Sequence, residues 1–201
     1  HVWWLGQSGF LVQTHGENVL VDPYLSDSLT QLYAGTDTPY ERVTGLVVDP
    51  ALLSFVDVVL CTNAELDHLD PGTLPHVLAG DAAFVCAAGS EEAAADRAGR
   101  MPDAVLGVGE HAAFGDFSIE AVPAYPGGAP GGVGYVVRNG AFTYYHAGDS
   151  RRVQGMAEAV APYSPDVVFV PINGRHGSMD GTDAALGEIV ERLRRATRIV
   201  V

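Results

Sequence analysis

The stretch Cys61–Pro71, CTNAELDHLDP, decides how this chain is read. The run before it, Val56–Cys61 (VDVVLC), is short and almost continuously apolar, as a buried strand is. It runs straight into a turn crowded with Asn63, Glu65, Asp67 and His68. At a strand end, alternate side chains point the same way. A ligand-x-ligand spacing therefore aims two groups at one point, and an adjacent Asp-His pair in the following turn supplies two more. The same residues also have an ordinary reading, because Asp favours turns and helix caps for its hydrogen bonds to nearby backbone.

A second stretch, Tyr144–Ser150 (YYHAGDS), has the same layout: a strand ending in His146, then a glycine turn carrying Asp149. Two acidic turns that follow strands are compatible with one shared cation. His146 lies in a half-buried aromatic pattern that suits a structural histidine as well as a ligand.

Outward from these two turns, the apolar segments His1–Gln13 and Asn18–Val21 read as a hairpin about the His15-Gly16 turn, ending in VDPYL. Residues 26–50 show no periodicity and read as a long surface loop, a type that is usually functional or mobile. Thr73–Leu78 reads as a short helix, Ala83–Cys86 as a strand and Glu91–Arg100 as an Ala-rich helix. Strands are expected at Ala104–Val108, His111–Phe114 and Phe117–Val122. After the glycine-rich YPGGAPGGVG, two alternating segments meet at Asn139-Gly140, the clearest hairpin signal in the chain.

The last third changes rhythm. A helix over Gly155–Val160, a strand at Val167–Pro171, a helix over Thr182–Arg195 and a strand from Ile199 follow one another in β-α-β order. Hairpins first and β-α units later predict an α/β domain over residues 1–201, with sheets between helices and chemistry at strand ends. The chain opens on strand-like residues and closes on the apolar RIVV, so both ends read as cut and a C-terminal segment is expected beyond Val201.

Composition narrows the partners. A hydrophobic content of 47% with 18% charged residues belongs to a globular protein. A formal net charge of -14 makes nucleic acid and anionic membranes poor partners and leaves small molecules, gripped by local Arg residues or a metal, as the substrates to expect. A homo-oligomer is compatible with this composition. Cys61 and Cys86 each end an apolar run and read as buried strand residues rather than a disulfide. No apolar run is long enough to span a bilayer and the first residues do not form a signal peptide, so a cytoplasmic location is the expectation.

Seven blocks carry a family resemblance: Trp4–Val12 (WLGQSGFLV), Val19–Ser28 (VLVDPYLSDS), Cys61–Pro75 (CTNAELDHLDPGTLP), Val122–Gly127 (VPAYPG), Gly131–Val137 (GGVGYVV), Tyr144–Ser150 and Val170–Arg175 (VPINGR). In this order and spacing the chain resembles the metallo-β-lactamase superfamily, and within it the L-ascorbate-6-phosphate lactonase-like members. That resemblance implies a four-layer αβ/βα sandwich of two mixed sheets flanked by helices. It also implies a hydrolase in which metal-activated water attacks an ester or lactone bond of a small, phosphorylated molecule.

The metal pattern departs from the family. Its members carry Thr-His-x-His-x-Asp-His at this point; here Asn63 and Glu65 replace the two first-site histidines, and VPAYPG offers no further one. Asp67 and His68 match the second pair, and Asp149 matches the family's completing aspartate. The resemblance therefore implies Asp67, His68 and Asp149 as ligands; with Glu65 and the neutral oxygen of Asn63 they make an oxygen-rich set that suits one ion, manganese or zinc. Asp67 would orient or deprotonate the water. Asp22 would orient a ligand from behind, as His146 would on its own turn. On the substrate side, Arg175 has the forked donors to grip an anionic group and equally suits a surface salt bridge, while Asn173 would shape its loop and His176 would face the pocket. The rival reading is a domain that kept the fold, lost its metal and binds a ligand or protein without hydrolysis.

Overall fold

The computed structural model describes residues 1–124, 131–150, 155–172 and 174, and the backbone of 198–200. The chain divides into two compact units, residues 1–86 with 90–104, and residues 87–89 with 105–201.

The first unit is built on a mixed sheet. Strands β1 (Val2–Gly6), β2 (Gly9–Thr14), β3 (Glu17–Val21), β4 (Val58–Cys61) and β5 (Ala83–Ala87) lie side by side in chain order, and β6 (Ala104–Leu106) forms the edge and straddles the boundary between units. The pairings β1–β2 and β2–β3 are antiparallel, while β3–β4 and β4–β5 are parallel. The unbroken apolar run of β4 follows from this, as does the apolar Val19–Val21 of β3 that pairs with it: a parallel strand covered on both faces has no side that can be polar. All four residues of β4 are buried.

Two expectations for this unit are corrected. The single strand expected over His1–Gln13 is two strands, separated by a tight turn in which Gly6 and Gln7 both take positive φ, +95° and +53°. The expected loop 26–50 contains a short helix, α1 (Ser28–Leu32), anchored by buried Leu29, and a 3-10 turn begins at Pro50. Single anchors of this kind leave no periodicity for a sequence reading to find. Helices α2 (Leu74–Val77) and α3 (Glu91–Ala98) fall where they are expected. Glu91 and Glu92 complement the positive end of α3, and Gly99, at φ +70°, stops it short of Arg100 because it accepts the left-handed conformation that ends helices.

The second unit carries the other mixed sheet. An antiparallel meander of β7 (His111–Phe114), β8 (Phe117–Pro123), β9 (Val133–Asn139) and β10 (Phe142–His146) continues into β11 (Val167–Phe169) and β12 (Arg198–Val200), which pair in parallel. The β9–β10 loop is Gly140-Ala141, one residue later than expected, since Asn139 pairs with Phe142. Helix α4 (Met156–Val160) lays Met156, Ala157 and Val160 against Val122, Val136, Tyr145 and Val168. Strand alternation sends Tyr144 and His146 to the other face, both in ring contact with Phe169. The expected helix 182–195 lies outside the described residues.

Candidate metal centre

Strands β3 and β4 run in parallel and end together, which puts Asp22 and Thr62 side by side at their carboxyl ends, the place where open α/β sheets carry ligands. The Asp22 backbone N–H donates to Leu60 O at 2.8 Å, extending the strand pairing by one residue. The Asp22 side chain is fully buried and accepts three hydrogen bonds. Thr62 N–H donates to Oδ1 at 2.7 Å; Thr62 Oγ1 at 2.7 Å and His68 Nδ1 at 2.8 Å both reach Oδ2. A carboxylate can only accept, so the His68 proton on that side sits on Nδ1. In the neutral form the ring then presents the lone pair of Nε2, an atom with which a histidine binds a metal.

The turn that carries His68 is held from three directions. Asn63 Oδ1 accepts the Glu65 N–H at 2.8 Å, and the N–H groups of His68 and Leu69 return to Glu65 O at 3.2 and 2.8 Å. From α3, Arg97 Nη1 donates to Ala64 O at 2.7 Å and Leu69 O at 3.2 Å. The Asn63 side chain thus shapes the turn through Oδ1.

Two carboxylates stand beside His68. Asp67 Oδ1 lies 4.0 Å from His68 Nε2, and its Oδ2 accepts from Gln7 Nε2 at 3.0 Å. A carboxylate oxygen of Glu65 lies within 4.8 Å of a His68 ring nitrogen. Ligands on one ion at about 2.1 Å are at most about 4.2 Å apart, so small rotations bring this pair into range. Among the described residues, the group close enough to share an ion takes Glu65 and His68 from this turn and leaves Asp67 out, so the turn offers one acidic oxygen and one imidazole to a divalent ion with a taste for oxygen, with Asp67 beside them. The residues of this turn fit the metal that the sequence implies.

In the second unit, Asp149 follows β10 in a turn fixed by local bonds. Ser150 Oγ donates to Ala147 O, Ala147 N–H donates to Phe169 O at 3.0 Å, and Gly148 N–H donates to His146 Nδ1 at 3.2 Å. His146 therefore holds the turn that carries Asp149. Asn173, Arg175 and His176 lie outside the described residues. Gln7, Thr62 and Arg97 escaped the sequence reading. Gln7 and Thr62 sit inside blocks quoted above, yet neither a glutamine in a turn nor a threonine after a strand signals a partner many positions away.

The chain matches the family model of the beta-lactamase superfamily domain over residues 1–199. It is 30% identical to a UPF0173 metal-dependent hydrolase of Methanopyrus kandleri, over 94% of this chain and 79% of that protein. A UPF0173 metal-dependent hydrolase of Hyperthermus butylicus is 28% identical over 96% of this chain and 79% of its own length. Among solved structures, a possible metal-dependent hydrolase from Veillonella parvula superposes with a TM-score of 0.75 at 18% identity, covering 96% of this chain and 81% of that one. The isothiocyanate hydrolase from Delia radicum gut bacteria gives 0.72 at 21% identity, covering 98% and 82%. Two mixed sheets, a histidine turned by a buried aspartate, and a match along almost the whole sequence agree: this chain belongs to the beta-lactamase superfamily, with the metallo-β-lactamase fold.

Proposed function

We propose that this protein is a metal-dependent hydrolase, as its UPF0173 relatives are named, acting on an ester or lactone bond in a small, phosphorylated molecule. The observation that carries this reading is the Asp22–His68 bond at 2.8 Å, since a buried carboxylate behind a histidine is the usual means of fixing a metal-binding tautomer. Asp67, His68 and Glu65 are the proposed ligands from the first unit, and Asp149 from the second. Manganese or zinc suits this set. When bound, the ion supplies Lewis-acid polarisation and an acidified water. Asp67 is the group proposed to orient that water and take its proton, and Arg175 is proposed to grip the phosphate.

Metal analysis of protein purified without chelator tests the reading. One equivalent of manganese or zinc is expected in the wild type and none in an Asp67→Ala, Asp149→Ala double variant, alongside hydrolysis of phosphorylated lactones that stops in the variant. A metal-free wild type that stays metal-free on loading sinks it. The second reading, a binding domain without hydrolysis, draws on Asn63 and Glu65, which stand where the family carries two histidines.

A further inference from the structure

Gln7 stands at the first of the two loop residues between β1 and β2, with φ +53°. Two-residue hairpin loops favour glycine or asparagine at a positive φ, because other side chains crowd the backbone there. A glutamine at such a place has a strained backbone, and a side chain kept at a strained position is a reason to ask what it touches. It touches Asp67: Nε2 to Oδ2, 3.0 Å across 60 positions of sequence. A carboxylate cannot donate, so the amide nitrogen is the end that faces it.

The loop is built to hold this reach. Trp4 Nε1 donates to Gln7 O at 2.8 Å, locking the peptide that follows Gln7. Gly9, where β2 begins, packs against the end of β3 and across its own turn, where an added Cβ would stand 3.1 Å from Asp22 O and 3.2 Å from Gly6 O. The turn is thus pressed down beside Asp22, the residue that aims His68, while its side chain goes to Asp67. One loop meets the supports of both proposed ligands.

We propose that Gln7 is a positioning residue for the metal site. This inference rests on the reading of Asp67 as a ligand. Its amide engages Oδ2 and leaves Oδ1 on the His68 side, 4.0 Å from Nε2, so that Asp67 meets an ion through one oxygen in a fixed orientation. Partners behind a metal ligand matter because an unanchored carboxylate must be ordered at the moment of binding.

The test titrates metal-free wild type, Gln7→Met, Gln7→His and Asp67→Ala with Co²⁺, followed by its visible absorption, and measures the thermal unfolding of each without metal. Gln7→Met, nearly the same shape without a donor, is expected to bind Co²⁺ about 10–100-fold more weakly. Its metal-free unfolding temperature should stay within about 2 °C of wild type, because the residue is exposed. Gln7→His keeps an N–H at similar reach and recovers most of the loss. A purely structural Gln7 would shift unfolding and leave cobalt affinity alone. The proposal is overturned when Gln7→Met binds like wild type, or when Met and His lose affinity alike. A wild type that takes no Co²⁺, or an Asp67→Ala that takes it undiminished, overturns the site reading itself and this inference with it.

Discussion

Two buried aspartates in the first unit, Asp22 and Asp70, are both fully enclosed and both saturated by donors. Asp70 accepts from Ser26 Oγ at 2.8 Å, Ser28 Oγ at 2.9 Å, Gly72 N–H at 3.1 Å and Thr73 Oγ1 at 2.5 Å. Those partners are hydroxyls and backbone, and their effect is to pin the segment after β3 onto the turn before α2; Thr73 Oγ1 also accepts the Leu25 N–H at 2.8 Å. Asp22 accepts from a backbone N–H, a hydroxyl and an imidazole. A hydroxyl rotates to suit and passes little on, whereas a ring clamped at one nitrogen has its other nitrogen aimed. The same buried acid is scaffold in one place and gunsight in the other, and the difference lies in a single partner.

Truncation breaks the comparison hardest. Asp70→Ala leaves three hydroxyls and an N–H without their acceptor and is expected to lower stability by roughly 3–4 kcal/mol, read from the denaturant midpoint, while the folded fraction keeps its metal affinity. Asp22→Asn keeps the shape but gives His68 an amide in place of a charged acceptor. Metal affinity is expected to fall about 10–100-fold, with a smaller loss of stability than the Asp70 truncation. Equal effects of the two substitutions on metal binding would erase the distinction drawn between the two aspartates.

A matched pair sharpens it. Thr62→Val and Thr73→Val each remove one hydroxyl donor from one of these carboxylates, and each should cost about 1–2 kcal/mol. Only Thr62→Val should also weaken metal binding, measured by titration on both variants.

The smallest effect is a pH dependence that both acids share. Burial pushes the Cys61 thiol well up, with Asp22 adding more than Asp70 and Arg97 opposing; burial and Glu91 carry Cys86 up to about 12. A thiol raised in the folded state contributes stability that is complete below its unfolded pKa of about 8.5 and is lost as pH rises past it. The denaturant midpoint should therefore decline from about pH 8.5 upward, and Cys61→Ala should flatten the decline.

Much of the fold was legible, for a simple reason. The strands at Val58–Cys61 and Val167–Phe169 are dense apolar runs, and the helix from Glu91 shows as an Ala-rich charged stretch, although the expected helix ran through Gly99 to Arg100. Periodicity and punctuation are local properties, so a sequence displays them. The cluster Asn63, Glu65, Asp67 and His68 was visible as composition for the same reason. What stayed hidden was pairing across distance. The bond from Gln7 to Asp67 spans 60 positions and that from Thr62 to Asp22 spans 40, and neither residue type announces its partner. The break at Gly6–Gly9 was missed because the residues on either side are equally strand-like, and only the backbone angles separate them.

The aspartate and the imidazole it steers are separated by 46 positions, and they meet only because two parallel strands, β3 and β4, have closed the long chain segment between them. Closing such a segment costs entropy before any contact repays it, so the pair depends on the strand pairing that holds the segment closed. The peptide 58–78, cut out alone, would carry every acidic group of the turn and still lack an aimed ring. Anyone grafting this motif into another scaffold must transplant a strand pairing along with the loop.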